Sequence, residues 1–213
     1  MNTYIITRFS ILDKEKKKFS CSENILFDEN RLNYKFKCFE LMTLPSIVNQ
    51  TNQNYIWYIY TSEYLPNKYK NKLLTLIEKY KKIQCIFIKS FDDFNKFNIE
   101  KEIEYCTIRL DDDDSLCLNF LEQLQKYKEH KNKIINFPKG ITYTIKDNNI
   151  IYGKNFNQKN IAVGLCAINM NIHNCGNHVK VDKNFPVIYD DTPNMYYINC
   201  GEFCNSGRKF IKC

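Results

Sequence analysis

No stretch of this chain holds enough uninterrupted apolar residues to span a bilayer, and its N-terminus lacks the basic-then-apolar layout of a secretion signal. Glycine and proline are few, 6 and 5 of 213 residues, and no linker or internal repeat interrupts the sequence. A transmembrane protein, a secreted disulfide scaffold and a string of modules are thereby disfavoured. The expectation is one soluble, intracellular domain over residues 1–213, cytoplasmic or held at the cytoplasmic membrane face, with its being one module of a longer polypeptide left open. Histidine is scarce too, at 3 residues. The 10 cysteines form no clean pair of C-x2-C knuckles. Cys21, Cys38, Cys85, Cys106 and Cys117 stand singly among apolar or helical residues and read as small hydrophobes. His173, Cys175, His178, Cys200, Cys204 and Cys213 could supply soft ligands to zinc, although their H-x-C, C-x2-H and C-x3-C spacings match no common zinc module.

What is present is an ordinary globular composition, 44% hydrophobic and 26% charged, with a net charge of +7. A basic balance suits a nucleotide sugar, a nucleic acid or an acidic membrane face and does not choose among them. Strands are predicted at 4–9, 55–60, 85–88 and 105–110. Between them lie a helix over 30–44 with Asn30 as its cap, ended near Pro45, and a second helix running from Pro66 to Lys82. Past residue 116 a helix carrying Leu116, Phe120, Leu121, Leu124 and Tyr127 gives way to short strands at 134–137, 141–145, 150–152 and 161–170, with Asp147-Asn148-Asn149 as a hairpin turn. Strand and helix alternation over the first 130 residues implies an α/β fold with a mainly parallel sheet and smaller antiparallel strands in the C-terminal half.

The strongest local signal is Asp111-Asp112-Asp113-Asp114, four carboxylates closing the fourth strand. Two unit charges about 4 Å apart repel by roughly 4 kcal/mol at the effective dielectric of a protein surface. The run therefore calls for a counter-charge, and a hard divalent cation prefers such oxygens. A solvated acidic loop is the bland alternative. Ligands of open α/β sheets bind beyond the carboxyl ends of the strands, which places the aspartates and Thr7-Arg8 on one rim. Alternation along an extended segment would set Asp111 and Asp113 on one side and Asp112 and Asp114 on the other.

Thr107 through Leu116 resembles the D-x-D region of GT-A glycosyltransferases, in the form found in the rhamnosyltransferase family. Arg31 through Phe39, Thr43-Leu44-Pro45-Ser46-Ile47, Asn49-Gln50-Thr51 and Trp57 resemble a second block of that family, and Thr7-Arg8-Phe9 agrees with its first strand. Tyr197-Ile198-Asn199 to Asn205-Ser206 is loosely like its closing segment. The resemblance implies a GT-A fold with a nucleotide-binding half at 1–115 and an acceptor-side half at 116–213. It also implies a nucleotide-diphosphate sugar donor, a UDP-sugar first, Mn²⁺ or Mg²⁺ bridging its phosphates, and transfer of rhamnose or another hexose to a glycan or glycoprotein hydroxyl. By motif position Asp111 meets the ribose or nucleotide, Asp113 ligates the metal, and Asp114 assists at sugar or metal. Thr7 and Arg8 hold the nucleotide, and Arg109 contacts it or pairs with the aspartates. His178, preferred over His173, completes the metal shell. Asp190 and Asp191 are the candidate general base of an inverting reaction, with Glu202 next. Two rivals stand beside this reading. Another metal-dependent phosphate enzyme, a phosphatase or nucleotidyltransferase, would use the same strand-end aspartates. A basic polymer-binding module would require Lys and Tyr clustered on one face.

Overall fold

The computed structural model describes residues 1–14, 22–91, 93 and 104–204. Its main sheet has seven strands: β1 (Asn2–Phe9), β2 (Tyr55–Ser62), β3 (Ile83–Ile88), β4 (Tyr105–Asp111), β6 (Ile134–Asn136), β9 (Leu165–Ile168) and β10 (Val187–Tyr189). Their order is β10-β6-β9-β4-β1-β2-β3. β1, β2, β3 and β4 pair in parallel, as do β6 and β10, while β9 runs antiparallel between β4 and β6. The six parallel strands therefore end on one rim, and that rim carries Arg8, Asp111 and Asp190. A second sheet of four strands, β5 (Ser115–Leu116), β7 (Lys139–Lys146), β8 (Asn149–Asn157) and β11 (Tyr196–Asn199), takes the order β5-β11-β7-β8. The mainly parallel sheet with smaller strands in the C-terminal half agrees with the sequence reading.

Side-chain alternation sorts the sheet into two faces. Ile5 and Phe9 of β1, Trp57 and Ile59 of β2 and Cys106, Ile108 and Leu110 of β4 bury against Leu32, Phe36, Ile47, Leu73, Ile77, Leu121 and Leu124 in one core. Those residues come from helices α2 (Glu29–Cys38), α3 (Leu44–Val48), α4 (Asn67–Ile77) and α5 (Phe120–Leu124); a single turn, α1 (Glu23–Leu26), precedes them. The opposite face is apolar under a segment from Ile172 to Val181 and polar where Arg8, Arg109 and Asp111 emerge.

Three local expectations change. The cap of α2 is Asp28, whose side chain accepts from the Arg31 N–H at 2.9 Å, two residues before the expected Asn30. Pro45 does not end this helix. A π-helical turn at Phe39–Thr43 carries the chain into α3, and wide turns of this kind accommodate a residue that has no N–H to donate. The aspartates are followed by β5, not by a helix, because Ser115 and Leu116 pair with β11. At the hairpin, Asp147 and Asn148 both take positive φ, 50° and 63°, as a two-residue type I′ connection requires.

Candidate active site

The aspartate run does not alternate. Asp111 is the last residue of β4, and from there the chain turns, the Asp114 N–H donating to the Asp111 carbonyl at 3.2 Å. The turn divides the four carboxylates between two environments. Asp111 stays on the polar face of the sheet, where Arg8 is its cross-strand partner. Arg109 donates to it from Nε at 3.3 Å and Nη2 at 3.2 Å, and Arg8 Nη2 lies 3.5 Å away. Burial alone would raise the Asp111 pKa, but the two guanidinium charges hold it far below the usual carboxylate range. Arg8 is itself pulled down by burial and by the neighbouring Arg109 charge. Two cations around one anion leave this patch net positive.

Both candidate histidines lie beside that patch. His178 Nδ1 is 3.4 Å from Arg109 Nη1. His173 has a buried ring held neutral well below the ordinary imidazole value, first by burial and then by the charges of Arg8 and Arg109. The segment bearing both is tied to β4 through Thr107, whose hydroxyl accepts from the Ile172 N–H at 2.8 Å and donates to the Met170 carbonyl at 2.7 Å.

Asp112, Asp113 and Asp114 turn the other way, toward α2 and the second sheet, and are buried. The counter-charge they need comes from Lys35 in α2. Its ammonium sits 3.0 Å from Asp112 Oδ1 and 2.7 Å from Asp113 Oδ2, with the residue 2% exposed. Burial lowers the Lys35 pKa and the two carboxylates more than reverse it, so Lys35 is charged. Asp112 is pushed up to about 6, by burial and by Asp113 against the pull of Lys35. Asp114 is raised by burial and by the charges of Asp113 and Asp111. Asn199, at the end of β11, completes the set: its side chain donates to Asp113 Oδ2 at 2.9 Å and its backbone N–H to Asp114 Oδ1 at 2.9 Å. The Asn199 amide is aimed by the Tyr34 hydroxyl and the Gly201 N–H, both donating to its Oδ1 at 2.9 Å. A Cβ at Gly201 would run into the Tyr34 hydroxyl, so that approach needs glycine.

The Thr43 to Thr51 block is the brace of this turn. Thr43 donates to the Asp112 carbonyl at 3.1 Å, and Ser46 Oγ accepts from the Leu116 N–H at 3.3 Å. Gln50 donates to the Cys117 carbonyl at 2.7 Å and accepts from the Leu121 N–H at 3.0 Å. The Thr51 N–H reaches the Leu118 carbonyl at 2.8 Å. Tyr143 donates to the Asp113 carbonyl from the second sheet. The π-helical turn is what presents Thr43 and Ser46 to the chain that follows the aspartates.

The other candidate residues fall in different surroundings. Thr7 is fully buried among core residues, and its hydroxyl accepts from Trp57 Nε1 at 2.9 Å. Its side chain faces the helices, away from the polar patch, because Thr7 alternates with Arg8. Asp113 and His178 do not come together with further ligands: among the described residues no group of three His, Cys, Asp or Glu side chains could hold a metal ion. The same holds for the zinc alternative, with Cys213, like Cys21, outside the described residues; Cys175 and Cys200 lie in different apolar clusters. The donor set does not suit Mn²⁺ or Mg²⁺ either. The carboxylate on the polar face, Asp111, is engaged by guanidiniums, and an ion centred on Asp112 and Asp113 would have to displace the Lys35 ammonium that both already hold.

Asp190 follows β10 on the same rim, three strand spacings or roughly 14 Å from β4. Its carboxylate is saturated. Lys126 lies 2.7 Å away, the Tyr127 hydroxyl donates at 2.6 Å, and Thr192 donates from Oγ1 at 2.6 Å and from N–H at 2.9 Å. Burial pushes its pKa up, and these donors together bring it below the ordinary value, the wrong direction for a general base. Asp191 is three-quarters exposed, with Lys139 at 3.4 Å. Glu202 lies just past β11 in a turn. Lys35 and Asn199 were not singled out as site residues. Both lie in blocks that carry the family resemblance, which was the only sequence signal for them.

The model of a family described as "Putative rhamnosyl transferase" matches residues 2–212. No curated protein matches. Among solved structures, residues 1–349 of S. aureus TarS superpose with a TM-score of 0.56 at 8% identity, over 94% of this chain and 61% of that one. The TarS 1–349 complex with UDP-GlcNAc gives the same TM-score and identity, over 95% and 59%. The complex with UDP gives 0.52 at 7% identity, over 93% and 60%. The chain thus spans about three-fifths of the TarS 1–349 chains it matches, and the likeness establishes a GT-A-like fold.

Proposed function

The chain belongs to the rhamnosyl transferase family, and from that premise we propose that it transfers a sugar from a nucleotide-diphosphate donor to an acceptor hydroxyl. The observation that carries the reading is the Arg8–Arg109 pair on adjacent parallel strand ends, flanking Asp111 at the rim where open α/β sheets bind nucleotides. Guanidiniums present planar, permanently charged donors suited to phosphate oxygens. In the transfer, the acceptor oxygen bonds to the anomeric carbon as the bond from that carbon to the phosphate oxygen breaks. The nucleoside diphosphate leaves carrying the electron pair, and the hydroxyl proton passes to a carboxylate or to solvent. Charge therefore grows on the departing phosphate, where Arg8 and Arg109 would stabilise it.

Asp111 would take the ribose hydroxyls once the phosphates draw the arginines away from it. Asp113 and Asp114 act in this reading by shaping the turn, not by touching the donor. For an inverting reaction the base falls to Asp191, since its partner Asp190 is engaged by four donor groups. A UDP-sugar is the first donor to try, because the TarS structures include complexes with UDP-GlcNAc and UDP; rhamnose or another hexose is the sugar and a glycan or glycoprotein the acceptor. No helix among the described residues is long and apolar enough to cross a membrane. The expectation of Mn²⁺ or Mg²⁺ at Asp113 and His178 is not carried into this reading, for the reasons of geometry and charge given above. The test is protection from thermal unfolding by UDP-, GDP- and dTDP-sugars, because a ligand that binds only the native state must raise apparent stability. One nucleotide class should stabilise, and Arg8→Ala and Arg109→Ala should each abolish the shift. A shift that survives both substitutions refutes the site.

A further inference from the structure

We propose that Lys35 is a built-in counter-ion to the aspartate run that keeps divalent ions out of it, and that the protein binds a nucleoside diphosphate through Arg8 and Arg109 without metal. The second half rests on the donor reading above; the first does not.

The geometry of Lys35 sets it apart from an incidental ion pair. Its ammonium touches two consecutive carboxylates, at 3.0 and 2.7 Å, from the interior of a ten-residue helix whose Leu32 and Phe36 are fully buried. The Lys35 side chain is 3% exposed. Around it the turn is held at both carbonyls and both flanks: Thr43 on Asp112, Tyr143 on Asp113, and Asn199 on the Asp113 and Asp114 side chains. An oxygen-seeking cation binds at about 2.0–2.6 Å from its ligands, so one centred on Asp112 and Asp113 would need the space the ammonium occupies.

On the other side of the turn the charges have the opposite sign. Arg8 and Arg109 surround Asp111, and His178 packs on Arg109. That set attracts an anion. The run of four aspartates has thus been split into a structural turn, two of whose carboxylates share the Lys35 ammonium, and a single carboxylate within an anion-binding patch. The chemistry that a bridging metal supplies in a carboxylate site, positive charge against the phosphates, is available here from guanidiniums.

The experiment titrates Mn²⁺ into the wild-type protein, reading free ion by electron paramagnetic resonance, and measures UDP binding calorimetrically in EDTA and in excess Mn²⁺. Wild type should show no Mn²⁺ site that Asp113→Asn removes, and its UDP affinity in the two conditions should agree within about twofold, beyond the effect of Mn²⁺ on free UDP. Lys35→Met should acquire a Mn²⁺ site, lost again in Lys35→Met with Asp113→Asn. A wild-type Mn²⁺ site that depends on Asp113 overturns the counter-ion role, as does a folded Lys35→Met that gains none. UDP binding only with Mn²⁺ overturns metal independence and leaves the donor reading standing. UDP binding in neither condition fails the donor reading and with it the second half, and the wild-type Mn²⁺ titration, which needs no variant to fold, then decides the first.

Discussion

Replacing Lys35 by methionine keeps most of the buried stem and removes only the charge, so its cost measures what the ammonium does for the aspartate turn. At an effective dielectric of 20, separations of 3.0 and 2.7 Å correspond to gross attractions of roughly 5.5 and 6 kcal/mol. Desolvating the ammonium offsets several kcal/mol of that. A net loss of about 3–5 kcal/mol at pH 7 is expected, the range found when one member of a buried pair is removed. Against a total stability of about 5–15 kcal/mol for a domain, that is a large share. The assay is urea unfolding followed by Trp57, the single tryptophan, which is fully buried with the Phe39 ring tilted against it at a centroid distance of 5.6 Å. The denaturation slope should stay near wild type while the midpoint falls. Adding Asp112→Asn to Lys35→Met removes one of the two orphaned charges and should recover about 1–2 kcal/mol. A loss below about 1 kcal/mol, or a double variant no more stable than the single, would refute the account of Lys35 as the turn's counter-charge.

Three further outcomes follow from particular contacts. Thr7→Val leaves the buried Trp57 N–H without its acceptor; stability should fall by about 1–3 kcal/mol with UDP affinity unchanged, and a selective loss of affinity would return Thr7 to the nucleotide site. Asp112 has a folded pKa of about 6 against an ordinary 3.8, so between those values the folded protein holds a proton that the unfolded chain has released. Its contribution is favourable below that window and is lost as pH rises through 6. The stability of wild type relative to Asp112→Asn should therefore increase by up to roughly 3 kcal/mol between pH 7.5 and pH 4, and a flat difference would contradict the burial of this carboxylate. Asp190→Ala strands the Tyr127 hydroxyl and Lys126 and should lower stability by about 1–3 kcal/mol. Asp191→Ala should change stability by less than about 0.5 kcal/mol while lowering kcat for sugar transfer; equal kcat losses in both would put the base back on Asp190.

The α/β class, the parallel strands and the rim were legible in the chain because they rest on local pattern. Tyr4 to Phe9, Tyr55 to Tyr60 and Tyr105 to Leu110 are apolar enough to be buried strands whatever their neighbours, and the turn at Asp147-Asn148 needs only residues that tolerate positive φ. The need for a positive charge near Asp111 to Asp114 was legible too, from Coulomb repulsion alone. What supplied it was not. Lys35 lies 77 residues before Asp112 and looks like any helical lysine until the fold closes. Asn199 comes from the far end of the chain. Alternation misplaced Asp112 to Asp114 because it holds only along an extended backbone, and this backbone turns at Asp111. Composition and periodicity determined which segments are buried and where the strands end. Only the tertiary structure decided that three aspartates face inward, two of them onto an ammonium, and one faces outward between two guanidiniums, because side-chain direction past a strand end is set by what the rest of the chain packs against it.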